Sequence, residues 1–173
     1  MTRCLPGQPF PPIDLPRVGG GRVTNLLFGD AEVTILNVYR GLHCPRRKRQ
    51  LQDFLANTDG FQAASAQIIS ISTDPAERAE AAVDEWGLGD MPVGFDLEIA
   101  AARDLGLYIS QTIREAEPAL FAEAALFVIQ RDGTLWGSSV NSFPFMRPTA
   151  EQVLDALATR TARTYPPRGD VAA

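Results

Sequence analysis

The feature that most constrains the fold is the alternation of two apolar, β-branched runs with two helix-like segments. Residues 33–39 and 66–72 each predict a buried strand, because short uninterrupted apolar runs are typical of strands covered on both faces. Residues 45–57 and 76–86 follow them and have apolar spacing and an N-terminal proline typical of helices. A connection between parallel strands needs a long crossover, so this βαβα unit predicts a parallel pair with helices packed on the sheet.

The second half of the chain predicts an antiparallel end to the same sheet. Residues 97–105 predict a helix, residues 110–123 show no clear periodicity, and residues 126–130 and 135–140 predict strands joined by an Asp-Gly turn. Residues 149–160 have helical apolar spacing. We therefore predict an α/β, thioredoxin-like fold with a central mixed β-sheet and helices on both faces. A flavodoxin-like fold, the second choice, would need a third parallel strand in place of the hairpin.

The 173 residues suit one domain with an extension at each end. Five prolines within the first 16 residues interrupt hydrogen bonding in a sheet, so residues 1–30 predict an irregular Pro-rich arm packed on the domain. Within it, residues 23–28 predict a short strand or turn. The thioredoxin-like domain is expected over 31–163, and a flexible tail over 164–173.

Composition excludes several classes of function. The formal net charge is −5, which argues against a general binder of nucleic acid or anionic membranes. No apolar run approaches the roughly 20 residues of a membrane helix, and the N-terminus lacks a hydrophobic signal region, so we expect a cytoplasmic protein. Two cysteines and one histidine provide neither a disulfide framework nor the four ligands of a zinc site, so we expect no metal and no bound cofactor.

Cys44 is the candidate reactive group, because it lies where a strand passes into a helix. A helix N-terminus stabilises a thiolate, the form in which a cysteine reacts. Five cations lie within five residues of it: Arg40, Arg46, Arg47, Lys48 and Arg49. Because cations in a first helical turn oppose the helix dipole, their presence indicates a nearby anion, either the thiolate or an anionic substrate such as a glutathione-like thiol. The alternative is that Cys44 is a small buried hydrophobe.

The other candidates each have a structural alternative. Arg46 and Arg47 could instead form a solvated helix face, and His43 suits packing better than acid-base work, since adjacent side chains point apart. Pro45 begins the helix, while Thr73 and Asp74 either line the site at the carboxyl edge of the sheet or only cap the second helix. Cys4 is expected to be an inert exposed thiol, the alternative being a resolving cysteine brought over by the arm.

The stretch Val-Tyr-Arg-Gly-Leu-His-Cys-Pro at residues 38–45 resembles the redoxin proteins of the AhpC/TSA (peroxiredoxin-like) family, whose pattern here is Tyr-Arg-Gly-x-x-Cys-Pro-x-Cys. Residues 70–74, Asp96 with residues 106–108, and residues 142–148 agree with the family as well. The likeness covers about residues 5 to 160. It implies a thioredoxin-like fold and a thiol-dependent redox activity.

The departures from the family pattern concern the chemistry. Arg47 stands where many relatives have a second cysteine, so an internal disulfide of that kind cannot form. Asn37 and Gly41 stand where true peroxiredoxins have the proline and threonine that position a peroxide. Residues 123–125, Glu-Ala-Ala, occupy the place in which the fold usually has a cis-proline.

The sequence therefore predicts a thiol-dependent oxidoreductase or peroxidase with one reactive cysteine, similar to a 1-Cys peroxiredoxin. The thiolate of Cys44 would attack a small-molecule peroxide or disulfide, and an external thiol reductant would restore it. Arg40 and Arg47 would stabilise the thiolate or the incoming anion, and His43, Pro45, Thr73 and Arg46 would contact the substrate. The resemblance leaves a homodimer open as the assembly. The alternative is a non-catalytic thioredoxin-fold binding module that has lost the redox dithiol.

Overall fold

The computed structural model describes residues 4–24, 30–143 and 145–171. Over these residues the elements follow one another as β1 (Asp14–Pro16), β2 (Arg22–Thr24), β3 (Val33–Val38), α1 (Pro45–Ala56), α2 (Thr58–Ala63), β4 (Ala66–Ile71), α3 (Ala76–Trp86), β5 (Val93–Gly94), α4 (Ile99–Asp104), β6 (Ile109–Gln111), β7 (Leu120–Ala122), β8 (Ala125–Gln130), β9 (Leu135–Val140) and α5 (Ala150–Arg163).

A mixed five-stranded sheet with the order β5-β4-β3-β8-β9 forms the centre of the molecule. The pairs β3–β4 and β4–β5 are parallel, whereas β3–β8 and β8–β9 are antiparallel. Val38, at the carboxyl end of β3, lies opposite Ile71 on one side and Ala125 on the other. The segments that follow β3 and β4 therefore meet the segment that precedes β8 at one edge of the sheet. The mixed thioredoxin-like sheet predicted from the sequence is confirmed.

Helices cover both faces of this sheet, as predicted. One apolar cluster joins α1, α3 and α5 to the sheet through Leu51, Phe54, Trp86 and Leu157. The other joins the N-terminal segment and α4 to the opposite face, through buried residues that include Phe10, Ile13, Val23 and Ala102. Since β3 is buried at all six positions, its continuous apolar run is explained by cover on both sides.

Several elements differ from the sequence-based predictions. The N-terminal segment is not wholly irregular, since β1 and β2 form an antiparallel pair and Arg17 bridges to Gly94. A second short pair, β6 with β7, occupies the stretch without clear periodicity, and α2 was not predicted. Strands of three residues carry too few positions for a periodic signal. The predicted strand or turn over 23–28 lies mostly outside the described residues.

Candidate active site

Cys44 is the N-cap residue of α1 and is only 5 % exposed. Its carbonyl accepts the N–H of Arg47 at 2.9 Å, which begins the first turn, and no described side chain caps this end of the helix. The Nη1 group of Arg40 lies 3.9 Å from the sulfur. Cys44 is therefore shielded from solvent, at the positive end of a helix dipole and beside a guanidinium.

A buried carboxylate supports the loop that leads to Cys44. The Leu42 N–H donates to Asp74 Oδ2 at 2.7 Å, and Arg78 Nε lies 3.1 Å from Oδ1. Gly41 has a φ of +117°, and a Cβ there would lie 2.6 Å from both oxygens of this carboxylate. Position 41 therefore accepts only glycine. The carboxylate of Asp74 therefore lies where any side chain at position 41 would begin.

The helix cap predicted for Thr73 and Asp74 is wrong. The N-cap position of α3 is Pro75, and no side chain caps it. Asp74 faces the loop before Cys44 instead, and the Thr73 hydroxyl accepts the Ala122 N–H at 3.4 Å, which connects the end of β4 to β7. Both side chains thus connect segments at the edge of the sheet where Cys44 lies, because the carboxyl ends of β3 and β4 meet there.

Glu123 holds Arg40 beside the sulfur. Arg40 Nε lies 3.0 Å from Glu123 Oε2, and both side chains are largely buried. Ser110 donates its hydroxyl to the other carboxylate oxygen at 2.6 Å, and the Arg40 guanidinium stacks 4.9 Å from the centre of the Phe121 ring. Glu123 begins the stretch 123–125, where a cis-proline was expected from the fold, and no local sequence pattern indicated this role of its carboxylate.

His43 packs against the same aromatic ring. Its imidazole centre lies 4.8 Å from that of Phe121 in an edge-to-face arrangement. Burial, and after it the charge of Arg40, lower the pKa of His43 below its usual value. Neither ring nitrogen has a hydrogen-bond partner among the described residues. His43 is therefore a neutral imidazole next to Arg40 at neutral pH.

Arg47 is buried, with 1 % of its surface exposed, so the interpretation of this residue as part of a solvated helix face is wrong. Its Nη1 donates to Gln50 Oε1, while Nε and Nη2 have no partner in the part of the chain that the structure describes. Burial, followed by the charge of Arg147, lowers the pKa of Arg47 well below its usual value. The sequence did carry a signal, because Arg47 has helical spacing to the buried Leu51 and Phe54 and so shares their face.

Arg147 is a further cation of the site that sequence reasoning did not assign. It lies between β9 and α5, is about half-buried, and is close enough to Cys44 for the two groups to interact by charge. Burial lowers its pKa, and the nearby Cys44 opposes that shift. Its Nη1 donates to the Met146 carbonyl at 3.0 Å. The only sequence feature that could have pointed to Arg147 is its position as the single cation in the stretch 142–148, which contains two phenylalanines.

The remaining predicted residues lie further out. Pro45 is the exposed first residue of α1, and Arg46 is exposed with its guanidinium 4.9 Å from the Phe145 ring centre. Lys48 donates to the Glu85 carbonyl at 3.1 Å, near the end of α3. Of the four cations that follow Cys44, Arg47 is therefore the buried one, whereas Arg46 and Arg49 are exposed.

Cys4 is half-buried, so its prediction as an exposed thiol is wrong. Its sulfur lies 3.9 Å from the Asp104 carbonyl, on the face of the sheet that α4 covers. Burial, and after it the charge of Asp104, raise the pKa of the Cys4 thiol. Both changes disfavour the thiolate and therefore reaction at Cys4.

The described residues provide neither a metal site nor a membrane-spanning helix. No three His, Cys, Asp or Glu side chains in this part of the chain come together in a way that could hold a metal ion. Over the same residues, no helix has the length and apolar character needed to cross a membrane.

A mixed five-stranded sheet with a Cys-Pro pair opening its first long helix defines a thioredoxin-like protein of the peroxiredoxin type. The family model described as AhpC/TSA family matches residues 6–137, and the chain belongs to that family. A comparison with curated protein sequences finds no match.

Solved peroxiredoxins share the fold at low sequence identity. Peroxidoxin BcpB from Mycobacterium tuberculosis is 21 % identical with a TM-score of 0.71, covering 91 % of this chain and 97 % of its own. Reduced Prx3 from Vibrio vulnificus in complex with H2O2 is 19 % identical with a TM-score of 0.73, covering 88 % and 97 %. A cysteine-to-serine mutant of peroxiredoxin 6 from Arenicola marina is 16 % identical with a TM-score of 0.73, covering 92 % and 74 %. These likenesses establish the thioredoxin-like architecture.

Proposed function

We propose that the protein is a thiol-dependent peroxidase or oxidoreductase that works with the single reactive cysteine Cys44. The observation that carries the proposal is the position of its sulfur, at the N-terminus of α1, with Arg40 Nη1 at 3.9 Å and Arg147 within interacting range. Membership of the AhpC/TSA family supports the same class of chemistry. A helix N-terminus and neighbouring guanidiniums are the surroundings in which reactive cysteines of proteins are found.

The oxidative half-reaction is a two-electron transfer from sulfur to a peroxide. The Cys44 thiolate attacks one peroxide oxygen, an S–O bond forms, the O–O bond breaks, and the other oxygen leaves as an alkoxide or hydroxide that takes up a proton. Cys44 becomes a sulfenic acid and the peroxide becomes an alcohol or water. Arg40, held in place by Glu123, lies where it can stabilise the negative charge on the sulfur.

The reductive half-reaction needs external thiol. A first thiol condenses with the sulfenic acid to give a mixed disulfide and water, and a second thiolate attacks that disulfide, releasing the Cys44 thiolate and an oxidised disulfide product. Arg47 stands at the position of the second cysteine of relatives, so it cannot resolve the intermediate. Cys4 is half-buried on the face of the sheet opposite α1, which argues against a resolving role.

Peroxide is the better substrate than a protein disulfide on steric grounds. Cys44 is 5 % exposed, and a disulfide must approach its sulfur in line with its own S–S bond. A small peroxide needs much less room. The same burial is the observation that favours the alternative, a binding module in which Cys44 is unreactive.

Intact-mass measurement after one equivalent of hydrogen peroxide separates the two functions. We expect the wild-type protein to gain 16 mass units, or to form an adduct when a small thiol is present, and Cys44→Ser to gain neither. Cys4→Ser is the matched control, and it should react like the wild type because that thiol lies outside the site.

The rate of Cys44 alkylation, followed against pH, gives a second way to distinguish the enzyme from the binding module. A midpoint above about 8, the range of an ordinary thiol, combined with no oxidised mass and no adduct, would establish the binding module instead.

A further inference from the structure

The arginines around Cys44 are only partly paired with carboxylates in the described part of the chain. Arg40 Nη1 lies 3.9 Å from the Cys44 sulfur, and the charges of Arg47 and Arg147 act on the same group. Glu123 pairs with Arg40, and the surface carboxylate of Glu117 acts on that arginine as well. Among the described residues, neither Arg47 nor Arg147 forms an ion pair with a carboxylate. Buried charges are normally paired, because desolvation of an unpaired ion is costly. These two arginines therefore point to an anion that completes the site.

The hydrogen-bond donors of this cluster are incompletely used. Arg47, buried to 99 %, has no described partner for Nε and Nη2, and Arg147 has none for the same two groups. An arginine presents these groups as a planar fork that matches the two oxygens of a carboxylate or similar oxyanion. Two neighbouring guanidiniums with unused N–H donors can therefore bind an oxyanion between them.

A small cavity of about 10 Å³ is lined by both arginines. Gln50, Ser139 and Asn141 also line it, together with apolar residues. A volume of this size holds one water-sized group. The cavity therefore accepts an oxygen atom between the two arginines, and it is too small for a larger apolar substituent.

We propose that Arg47 and Arg147 bind an oxyanion group of the substrate, so that Cys44 reacts preferentially with small anionic molecules. The substrate class is a hydroperoxide or disulfide that carries a carboxylate close to the reacting O–O or S–S bond. This inference rests on the proposed function for its redox step, whose bond changes for a peroxide are those given above. For a disulfide, Cys44 forms an S–S bond with one sulfur, and the other sulfur leaves as a thiolate.

The charge preference can be measured without any redox turnover. Iodoacetate and iodoacetamide alkylate a thiolate at the same carbon with loss of iodide, but only iodoacetate carries a carboxylate. The ratio of the two rate constants cancels the fraction of thiolate, because both reagents need the same ionised sulfur. In a Cys4→Ser background we expect this ratio to fall about tenfold in Arg47→Gln and in Arg147→Gln, the size of effect given by a charge-assisted hydrogen bond. Arg49→Gln is the matched control, since that arginine of the same helix is exposed, and should leave the ratio unchanged.

A ratio that is the same in the parent and in both variants would overturn the oxyanion site. If Arg47→Gln does not fold, Arg147→Gln carries the test alone, because Arg147 is only about half-buried on a connecting segment. Sodium formate, a free carboxylate, should also slow iodoacetate more than iodoacetamide in the parent. Equal slowing of both reagents, or of neither, would count against the site.

Ester pairs distinguish the two classes of substrate. A carboxylate-bearing hydroperoxide and a carboxylate-bearing disulfide are each compared with their neutral methyl esters, and a faster reaction of the acid identifies the class. Equal rates of acid and ester in both pairs would refute anionic selectivity. If neither pair reacts while the iodoacetate preference persists, the proposed redox function fails and the oxyanion site stands.

Discussion

Replacing Arg47 by methionine is expected to stabilise the folded protein, although the change removes a residue of the candidate site. The folded state buries the Arg47 guanidinium with one hydrogen bond, to Gln50, and leaves two N–H groups without described partners. Two unsatisfied buried groups cost about 2–6 kcal/mol together, whereas the lost hydrogen bond from a charged group contributes about 1.5–3 kcal/mol. Methionine is flexible enough to fill the space beside Leu51 and Phe54.

The net effect is an increase of about 1–3 kcal/mol in the free energy of unfolding, in line with the replacement of buried ionic groups by hydrophobic ones in other proteins. For a domain of this size that corresponds to a rise of roughly 2–12 °C in Tm. Urea denaturation followed by circular dichroism, in a buffer free of small carboxylates, gives the value. Arg46→Met is the matched control, and its exposed position predicts a change within about 0.5 kcal/mol.

A loss of more than about 1 kcal/mol in Arg47→Met would refute this reasoning, because it would mean that the charge of Arg47 is already well compensated within the folded chain. Added formate provides an internal check. A ligand that binds only the folded state raises its stability by mass action, so formate should stabilise the wild type and narrow its difference from Arg47→Met.

Three further predictions concern the loop before Cys44. Gly41→Ala should cost at least about 2 kcal/mol of unfolding free energy, since the positive φ and the close carboxylate both oppose a Cβ, whereas Gly137→Ala, with open space around it, should have little effect in the same denaturation assay. Asp74→Asn should cost about 2–3 kcal/mol by breaking the buried ion pair with Arg78, and should also slow alkylation of Cys44 by loosening its loop. The pKa of His43 is lowered in the folded protein. As pH falls below about 6.5, the unfolded chain therefore binds a proton at this residue before the folded chain does. The free energy of unfolding should then fall by at most about 1.4 kcal/mol per pH unit. Urea titrations at several pH values should show a shallower slope in His43→Asn, and an unchanged slope would contradict the assignment.

The larger elements could be predicted from the sequence because their residues carry a long local signal. The boundaries of α3 agree with prediction, and those of β3, α1 and β4 agree within one residue at their carboxyl ends. Continuous apolar runs define a strand buried on both faces, and helical spacing over three turns defines a crossover. The short pairs β1–β2 and β6–β7 lack that length. Their pairing depends on partners distant in the chain.

The sequence by itself determined that Cys44 lies at a strand-to-helix junction with cations nearby, because all of those residues are local. Tertiary structure alone decided which charges reach the sulfur. Burial of one face of α1 turns Arg47 inward and leaves Arg46 in solvent, and the sheet brings Glu123 and Arg147 to Cys44 from distant segments. Long-range packing sets these neighbours, and no spacing within a single segment encodes them.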